Sequence, residues 1–315
     1  MDSLSDPKRY MPDEARLATI RTHIAVYNAE RPAILKHAHT QVALYMGGYV
    51  VAAGLILLTT LHVDEKHKVV GIVLGLAIIG GVKVWEYAWK PVTDHQLTLR
   101  YRLFPVIFGF IDNVQYSHGQ EPGFLQDINR MKLVRFTKSE NDDVISGRHD
   151  GLDFEMVEAK LNAGSGKSKT VVFSGLIFRF NLDTEFRGTL VAAKRGNWLD
   201  QFIRDIFGMD SDMIASGDFH LDQSHEFHTD NYSDARPLVE GPLAAAMKYL
   251  KREWWAGEVR IALRGKECFL LLPSDRDYFA LPDINVNVDY EADIEPMIRD
   301  MAVLLAVAHL LRKVG

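Results

Sequence analysis

The run from Val42 to Leu61, VALYMGGYVVAAGLILLTTL, contains twenty residues and no charged side chain. At a rise of about 1.5 Å per residue, a helix of this length extends roughly 30 Å, which matches the hydrocarbon core of a bilayer. We therefore predict a first membrane span over about residues 42–63.

A second apolar run covers residues 69–89 and reads VVGIVLGLAIIGGVKVWEYAW. Its only charged residues, Lys83 and Glu86, lie near its end, where the lysine can reach the interface and pair with the glutamate. The aromatic residues around them are typical of an interfacial belt. A buried soluble helix is the alternative for either run alone. Because only HVDEKHK separates the two runs, we predict a transmembrane helical hairpin over residues 42–90.

Small residues recur within both predicted spans. Gly71 and Gly75 form a GxxxG pattern, and Gly48 with Ala52 forms a similar pair. Positions of this kind let membrane helices approach closely. We interpret them as packing within the hairpin rather than as a dimerisation surface.

Charge around the hairpin predicts its orientation. A hairpin places both chain ends on one side, and basic residues are enriched on the cytoplasmic side of bacterial membranes. The outer flanks carry five basic residues: Arg31, Lys36, Lys90, Arg100 and Arg102. The turn between the spans carries two, Lys66 and Lys68. We predict a multi-pass inner-membrane protein whose termini and soluble domain are cytoplasmic.

The overall composition excludes several classes of protein. A net charge of −6 and a pI of about 6.1 give no basic surface for nucleic acid. The single cysteine, Cys268, fits a reducing compartment and is expected to be a buried strand residue. The polar, acidic first residues do not resemble a cleaved signal peptide.

Residues 1–41 form a predicted N-terminal amphipathic or juxtamembrane segment. An apolar residue recurs at helical spacing over residues 12–30, at Leu17, Ile20, Ile24 and Tyr27. This face can lie on anionic lipid or pack on the soluble domain, and the pattern leaves both alternatives open. Pro32 is expected to break the helix before the first span.

Residues 91–315 predict a cytoplasmic α+β soluble domain with an antiparallel sheet. The predicted strands lie at 152–161 and 170–182, and a hairpin at 257–272 turns at Arg264-Gly-Lys. The predicted helices are a short one capped by Asn197 and ending at Gly208, one at 242–255, and a buried one at 294–313.

The stretch GSGKS at residues 164–168 resembles the end of a phosphate-binding loop. Such a loop needs an earlier glycine, but Leu161 stands at that position. It also needs a following helix N-terminus to hold phosphate, whereas a strand-like run follows here. We predict a flexible hairpin loop and no nucleotide.

The segment His220–Asp234, HLDQSHEFHTDNYSD, concentrates three histidines and several carboxylates. Its HEFH run is one residue too short for the HExxH zinc motif, so we interpret the segment as a solvated loop followed by an edge strand. The strongest alternative is a metal site made by His225 and His228 with Asp222 or Asp230. We assign no catalytic, cofactor-binding or metal-binding residue, and no cofactor. Asp142 and Asp143 are expected to be solvated turn residues.

Three blocks of the chain resemble an uncharacterised bacterial family of two-span membrane proteins, a domain of unknown function sometimes labelled galanin. The blocks are DDVISGRHDGLDFEMVEAKL, VVFSGLIFRFNLDTEFRGTLV and LDQSHEFHTDNYSDARPL, beginning at residues 142, 171 and 221. The second is the most specific, with Phe173, Phe178 and the run 186–188 in the expected arrangement. The resemblance implies a two-helix membrane segment, a soluble domain and a small membrane protein as partner. It implies no site residue.

These features favour a membrane-anchored protein-interaction or scaffolding module. Its expected partners are the lipid bilayer and another protein or a second copy, with no nucleic acid and no nucleotide. One alternative is an enzyme at the membrane surface, metal-dependent through residues 220–234. Another is a lipid-binding module that uses residues 9–36 and the run RLFPVIFGFI at 102–111.

Overall fold

The computed structural model describes residues 10–63, 68–254 and 259–312, which fall into two units. The helical unit comprises residues 18–103 and 281–290, and the α+β unit comprises the other described residues. Predictions for residues 1–9, for the turn at 64–67, for 255–258 and for 313–315 lie outside the described residues. The predicted division at residues 41 and 90 stays a prediction.

Two long helices carry the two apolar runs. Helix α1 spans Glu14–Val63 and helix α2 spans Lys68–Ile107, so each helix continues well beyond its apolar run. Both are long and apolar enough to cross a membrane, and the most apolar window of each is 0% buried. The predicted helical character of both runs is confirmed.

Aromatic side chains pack α1 against α2 in an antiparallel pair. The Tyr49 hydroxyl donates a 2.5 Å hydrogen bond to the carbonyl oxygen of Ala77, and its ring lies against Gly80. Farther along the pair, Tyr27 stacks on His95 with ring centroids 5.1 Å apart. The contacts therefore continue outside the apolar runs.

The predicted role of the GxxxG pattern in this packing is wrong. A Cβ atom added at Gly48, Gly71 or Gly75 would meet nothing within 4 Å. One added at Gly80 would lie 2.5 Å from the Tyr49 hydroxyl. The close approach occurs at Gly80 because an aromatic ring, rather than a second backbone, fills the space between the helices.

The predicted break at Pro32 is also wrong, since Pro32 lies inside α1. Proline removes one helical hydrogen bond, but the helix is held on both sides of it by buried side chains, including Ile24, Tyr27 and Ala38. Since Tyr27 stacks on α2, this part of the amphipathic face packs on protein rather than on lipid.

Residues 281–290 pack on the part of the helix pair outside the apolar runs. The Asn28 side chain donates to the Val288 carbonyl oxygen at 2.8 Å and accepts from the Val288 N–H at 2.9 Å. The Arg31 guanidinium donates to the Ile284 carbonyl oxygen at 2.5 Å. The Ile284 side chain is buried in the same cluster as Ala38.

The α+β unit contains a seven-stranded, fully antiparallel sheet. Its strands are β1 (Asp112–His118), β2 (Lys138–His149), β3 (Leu152–Ala163), β4 (Thr170–Lys194), β5 (Asp212–Ile214), β6 (His225–Thr229) and β7 (Arg260–Pro273). The order is β1-β2-β3-β4-β6-β5, and β7 pairs with β4. The predicted antiparallel sheet is confirmed.

The long central strand β4 pairs with three neighbours. Its first half pairs with β3, its last residues pair with β6, and β7 pairs along most of its length. The predicted hairpin around Arg264-Gly-Lys is therefore wrong. Gly265, with a φ of +59°, instead lies within β7 where its register with β4 shifts opposite Phe186. A glycine in a β pattern can mark a bulge as well as a turn.

Among the described residues of this unit, six α-helices accompany the sheet: α3 (Phe124–Arg130), α4 (Leu199–Phe207), α5 (Phe219–Ser224), α6 (Tyr232–Leu238), α7 (Ala244–Glu253) and α8 (Glu295–Arg312). The buried C-terminal helix is confirmed, because 12 of the 18 residues of α8 are buried. Helix α4 ends at Gly208 as predicted, but its N-cap is Trp198 rather than Asn197. The helix predicted at 242–255 is α7, and a kink with non-helical backbone at Gly241 separates it from α6.

The run RLFPVIFGFI contributes to the core of the α+β unit. Phe104 and Phe108 are fully buried, and both rings pack edge-on against Phe279. The lipid-binding alternative is therefore wrong for residues 104–111, because the apolar side chains of this run pack in the protein core rather than at lipid headgroups.

Candidate functional site

A β-bulge in strand β2 brings several polar side chains of β1, β2 and β3 together. In the pairing of β2 with β3, Asn141 lies opposite Ala159 and Val144 lies opposite Val157. Two residues of β2, Asp142 and Asp143, therefore face the single residue Glu158. Bulges bend a strand and redirect side chains, and they are frequent beside functional sites.

His118 at the end of β1 binds both bulge aspartates. Its Nδ1 atom lies 2.9 Å from Asp142 Oδ1 and 3.3 Å from Asp143 Oδ1. The Tyr116 hydroxyl donates to the same Asp143 oxygen at 2.5 Å. Asp143 is fully buried, whereas the side chain of Asp142 is 40% exposed. The prediction that both are solvated turn residues is wrong for Asp143.

Glu158 of this cluster has a strongly raised pKa. Burial, and next the nearby carboxylate of Asp277, raise the pKa of Glu158 to about 8. A hydrogen bond from the Tyr278 N–H to Glu158 Oε2, 3.1 Å long, opposes this increase. Asp143 and Asp142 add to it. Glu158 therefore holds a proton at neutral pH.

His118, Asp142 and Glu158 line an open cleft of about 480 Å³. Its walls also include Lys160 of β3, Ser174 and Gly175 of β4, and residues 274–277 after β7. Gly175 has a φ of +142°, and an added Cβ would lie 2.2 Å from the Leu272 carbonyl oxygen, so only glycine fits there. The close approach of β4 and β7 places the 274–277 segment beside Glu158.

The chemistry of the cleft suits proton exchange or cation binding. One atom each of His118, Asp142 and Asp143 lies within 4.8 Å of the others, as a metal site requires. A cation in the cleft would favour ionised Glu158, because it would offset the repulsion between the carboxylates. Imidazole and carboxylate groups together suit a divalent metal ion.

The sequence-predicted segment His220–Asp234 has a different structure from the expected solvated loop and edge strand. It contains α5 and β6, and β6 lies between β4 and β5 in the sheet. His225 and His228 are three residues apart on β6, so their side chains point to opposite faces and cannot share an ion. Burial, followed by the charges of Lys251 and Lys194, lowers the pKa of His225 to about 4.

The two acids considered with those histidines have structural partners. Asp222 Oδ1 accepts hydrogen bonds from the backbone N–H and the hydroxyl of Ser216, at 2.8 and 2.7 Å. Asp230 Oδ1 accepts from the Thr189 N–H at 2.6 Å. The alternative metal site on this segment is therefore wrong.

The GSGKS stretch connects β3 to β4 and includes one short 3₁₀ turn, Gly166–Ser168. The predicted hairpin loop is confirmed, and no helix follows it to hold phosphate.

Cys268 is fully buried in β7, and burial raises the pKa of its thiol. Its predicted position as a buried strand residue is confirmed.

Sequence patterns did not reveal the cleft. His118, Asp143 and Glu158 come from three strands, and only the pairing of β1 with β2 and the bulge bring them together. The adjacent acids in a strand-like context were the one available signal, since an acid inside a strand needs a partner.

One family and one solved structure match this chain. Residues 171–313, a little under half of the chain, match a family described as protein of unknown function (DUF3137). Among solved structures, the crystal structure of the mycobacterial trehalose monomycolate transport factor A, TtfA, is 11% identical with a TM-score of 0.34. That similarity covers 63% of this chain and 88% of the other. Comparison with curated proteins gives no match.

Proposed function

We propose that the chain is an integral inner-membrane protein whose α+β unit acts as a protein-interaction or scaffolding module. The observation that carries this proposal is the exposure of the apolar helix surfaces. Leu44, Leu55, Leu58, Ile72 and Ile78 are each at least 56% exposed. A soluble protein would cover a surface of this size, whereas a bilayer solvates it.

The helix pair also supports the interaction role. Gly71 and Gly75 have no side-chain neighbour, so α2 presents a shallow surface inside its apolar run. Membrane helices associate through such surfaces because the backbones can approach closely. We therefore propose a second copy of the chain, or another membrane protein, as the partner on α2.

The test is purification from native membranes in mild detergent. The proposal expects the full chain in the membrane fraction, resistant to carbonate extraction, and in a complex larger than one copy. Gly71→Leu with Gly75→Leu should leave membrane insertion intact and reduce the complex. The control is Gly123→Leu, because Gly123 lies outside the spans and in open space. Gly119→Leu would be unsuitable as a control because the φ of +72° at Gly119 disfavours a side chain. A monomeric wild-type protein would contradict the interaction role, and extraction by carbonate would contradict the membrane role.

A second candidate function is an enzyme at the membrane surface. The observation that favours it is the bulge cluster in the cleft, rather than the 220–234 segment. If this candidate is correct, Asp143→Asn and Glu158→Gln should each abolish the cellular function without reducing the amount of protein in the membrane. Retained function in both variants would exclude it.

A further inference from the structure

A second polar cluster lies at the turn between β2 and β3. The turn residues Asp150 and Gly151 have φ angles of +47° and +76°, and His149 pairs with Leu152 across it. Two consecutive positive φ angles define the tight hairpin turn that favours Asp-Gly. The turn therefore fixes His149 as the last residue of β2 and places the Asp150 carboxylate directly beside it.

The C-terminal helix α8 brings a second histidine to this turn. His149 Nδ1 lies 3.0 Å from His309 Nε2, and both side chains are buried, with 9% and 5% of each residue exposed. The two residues are 160 positions apart in the chain. At this distance, one ring donates an N–H to the other, so both nitrogens point at the same space.

Aromatic rings restrict both imidazoles. Tyr10 stacks on His309 with ring centroids 5.4 Å apart and an interplanar angle of 14°. The same ring lies 5.3 Å from that of His149, and Phe110 packs edge-on against His149 at 6.3 Å. Rings held in this way lose little conformational entropy when they bind a ligand.

We infer that His149, His309 and Asp150 form a binding site for a zinc-like divalent metal ion. One ligand atom from each of the three lies within 4.8 Å of the others. Two Zn–N bonds of about 2.05 Å at a tetrahedral angle separate the nitrogens by about 3.3 Å. The two nitrogens therefore need to move apart by about 0.3 Å from their hydrogen-bonded distance, the proton between them must leave, and the rings must turn so that both lone pairs face the ion. Asp150 is exposed, so the site is open to solvent on that side and a water molecule can supply the fourth ligand.

Arg312, at the end of α8, contacts the backbone of the turn. Arg312 Nη1 donates to the carbonyl oxygen of Asp150 at 2.7 Å, and its Nε lies 3.5 Å from Asp183 Oδ2. The guanidinium thus supports the turn through its backbone and leaves the Asp150 carboxylate to the ion. A bound ion would tie α8 to the β2–β3 turn.

The test measures Zn²⁺ binding to chelator-stripped, full-length protein in detergent. We expect one Zn²⁺ per chain, a rise in melting temperature with added Zn²⁺, and the visible absorption of four-coordinate Co²⁺ on substitution. His149→Asn and His309→Gln keep an amide nitrogen near the lost ring nitrogen, so the hydrogen bond and the fold can persist. Each should weaken Zn²⁺ binding by about 100-fold or more, and Asp150→Asn by about 10-fold.

Two controls separate this site from others. Asp183→Asn changes a partner of Arg312 but no ligand, and His118→Ala changes the other histidine cluster. Neither should alter Zn²⁺ affinity. The inference is overturned if wild-type protein binds no Zn²⁺ more tightly than the His149→Asn, His309→Gln double variant. It is equally overturned if His118→Ala, rather than the histidine variants, removes the bound ion.

Discussion

At the scale of single residues, Asp142 and Asp143 have the same side chain and opposite environments. The bulge directs Asp143 into the protein, where it is fully buried and bonded to Tyr116 and His118, and leaves Asp142 at the surface. A buried carboxylate requires such partners because desolvation otherwise costs several kcal/mol. The same bulge concentrates negative charge at Glu158, whose pKa is raised mainly by burial.

Glu158 predicts a pH dependence of stability. Its pKa is about 8 in the folded protein and near 4.5 when unfolded. Between these values the folded state holds a proton that the unfolded state has lost, so the free energy of unfolding should fall as pH rises from 4.5 to 8. Glu158→Gln should reduce this pH dependence, and at pH 9 the free energy of unfolding of the variant should exceed that of wild type by on the order of 2 kcal/mol. Denaturant unfolding followed by tryptophan fluorescence measures the free energy of unfolding at each pH.

The matched control for that prediction is Glu185→Gln, because the Glu185 side chain is exposed. Its unfolding free energy should follow wild type across the pH range. Parallel curves for wild type and Glu158→Gln would show that the folded protein ionises Glu158 as readily as the unfolded chain does.

At the scale of elements, the longest strands and helices are defined by their partners. Strand β4 stays extended over 25 residues because β3, β6 and β7 pair with successive parts of it. Helix α1 continues through Pro32 because side chains before and after it are buried. In both elements, tertiary contacts override a local signal to stop.

Packing of α1 on α2 should depend on Gly80 rather than on the GxxxG pattern. Gly80→Val places a Cβ 2.5 Å from the Tyr49 hydroxyl, so the ring must move and its hydrogen bond to Ala77 is lost. We expect a loss of about 1 kcal/mol in the unfolding free energy measured in detergent. Gly54→Val, in open space on α1 and outside the proposed partner surface of α2, is the control. An equal loss in both variants would contradict the packing described.

The segment 281–290 should depend on Asn28, whose side chain forms two hydrogen bonds with the backbone of Val288. Asn28→Ala removes both, so amide hydrogen exchange over 281–290 should accelerate by about 10-fold or more. Thr22→Ala serves as the control, since the Thr22 hydroxyl bonds only within α1, to Ala18. Unchanged exchange in Asn28→Ala would show that other contacts hold the segment.

At the scale of the whole molecule, the chain crosses between its two units several times. It leaves the helical unit near residue 103, returns at residues 281–290, and ends in the α+β unit with α8. Because the return segment is an internal stretch of the chain, removing the helices would also remove its hydrogen-bonding partners. Experiments on function therefore need the full chain.

The proposed orientation can be tested with reporter fusions. A hairpin with both ends in the cytoplasm predicts that a fluorescent protein folds when fused at residue 1 or at residue 315. It also predicts that alkaline phosphatase is active when inserted between residues 63 and 68. Activity of phosphatase fused at either terminus would contradict the orientation.

Sequence patterns alone predict the two long apolar helices, the antiparallel sheet and the buried C-terminal helix. These follow from local hydrophobic periodicity, which a helix or strand carries within its own residues. Only the folded structure shows that Arg264-Gly-Lys continues strand β7 opposite a register shift of β4, that the Tyr49 ring of α1 lies against Gly80 rather than Gly71, and that Asp143 lies opposite Glu158. The fold also brings His149 Nδ1 within hydrogen-bond distance of His309 Nε2. Such contacts join residues far apart in the chain, so they depend on strand register and packing, which no local pattern encodes.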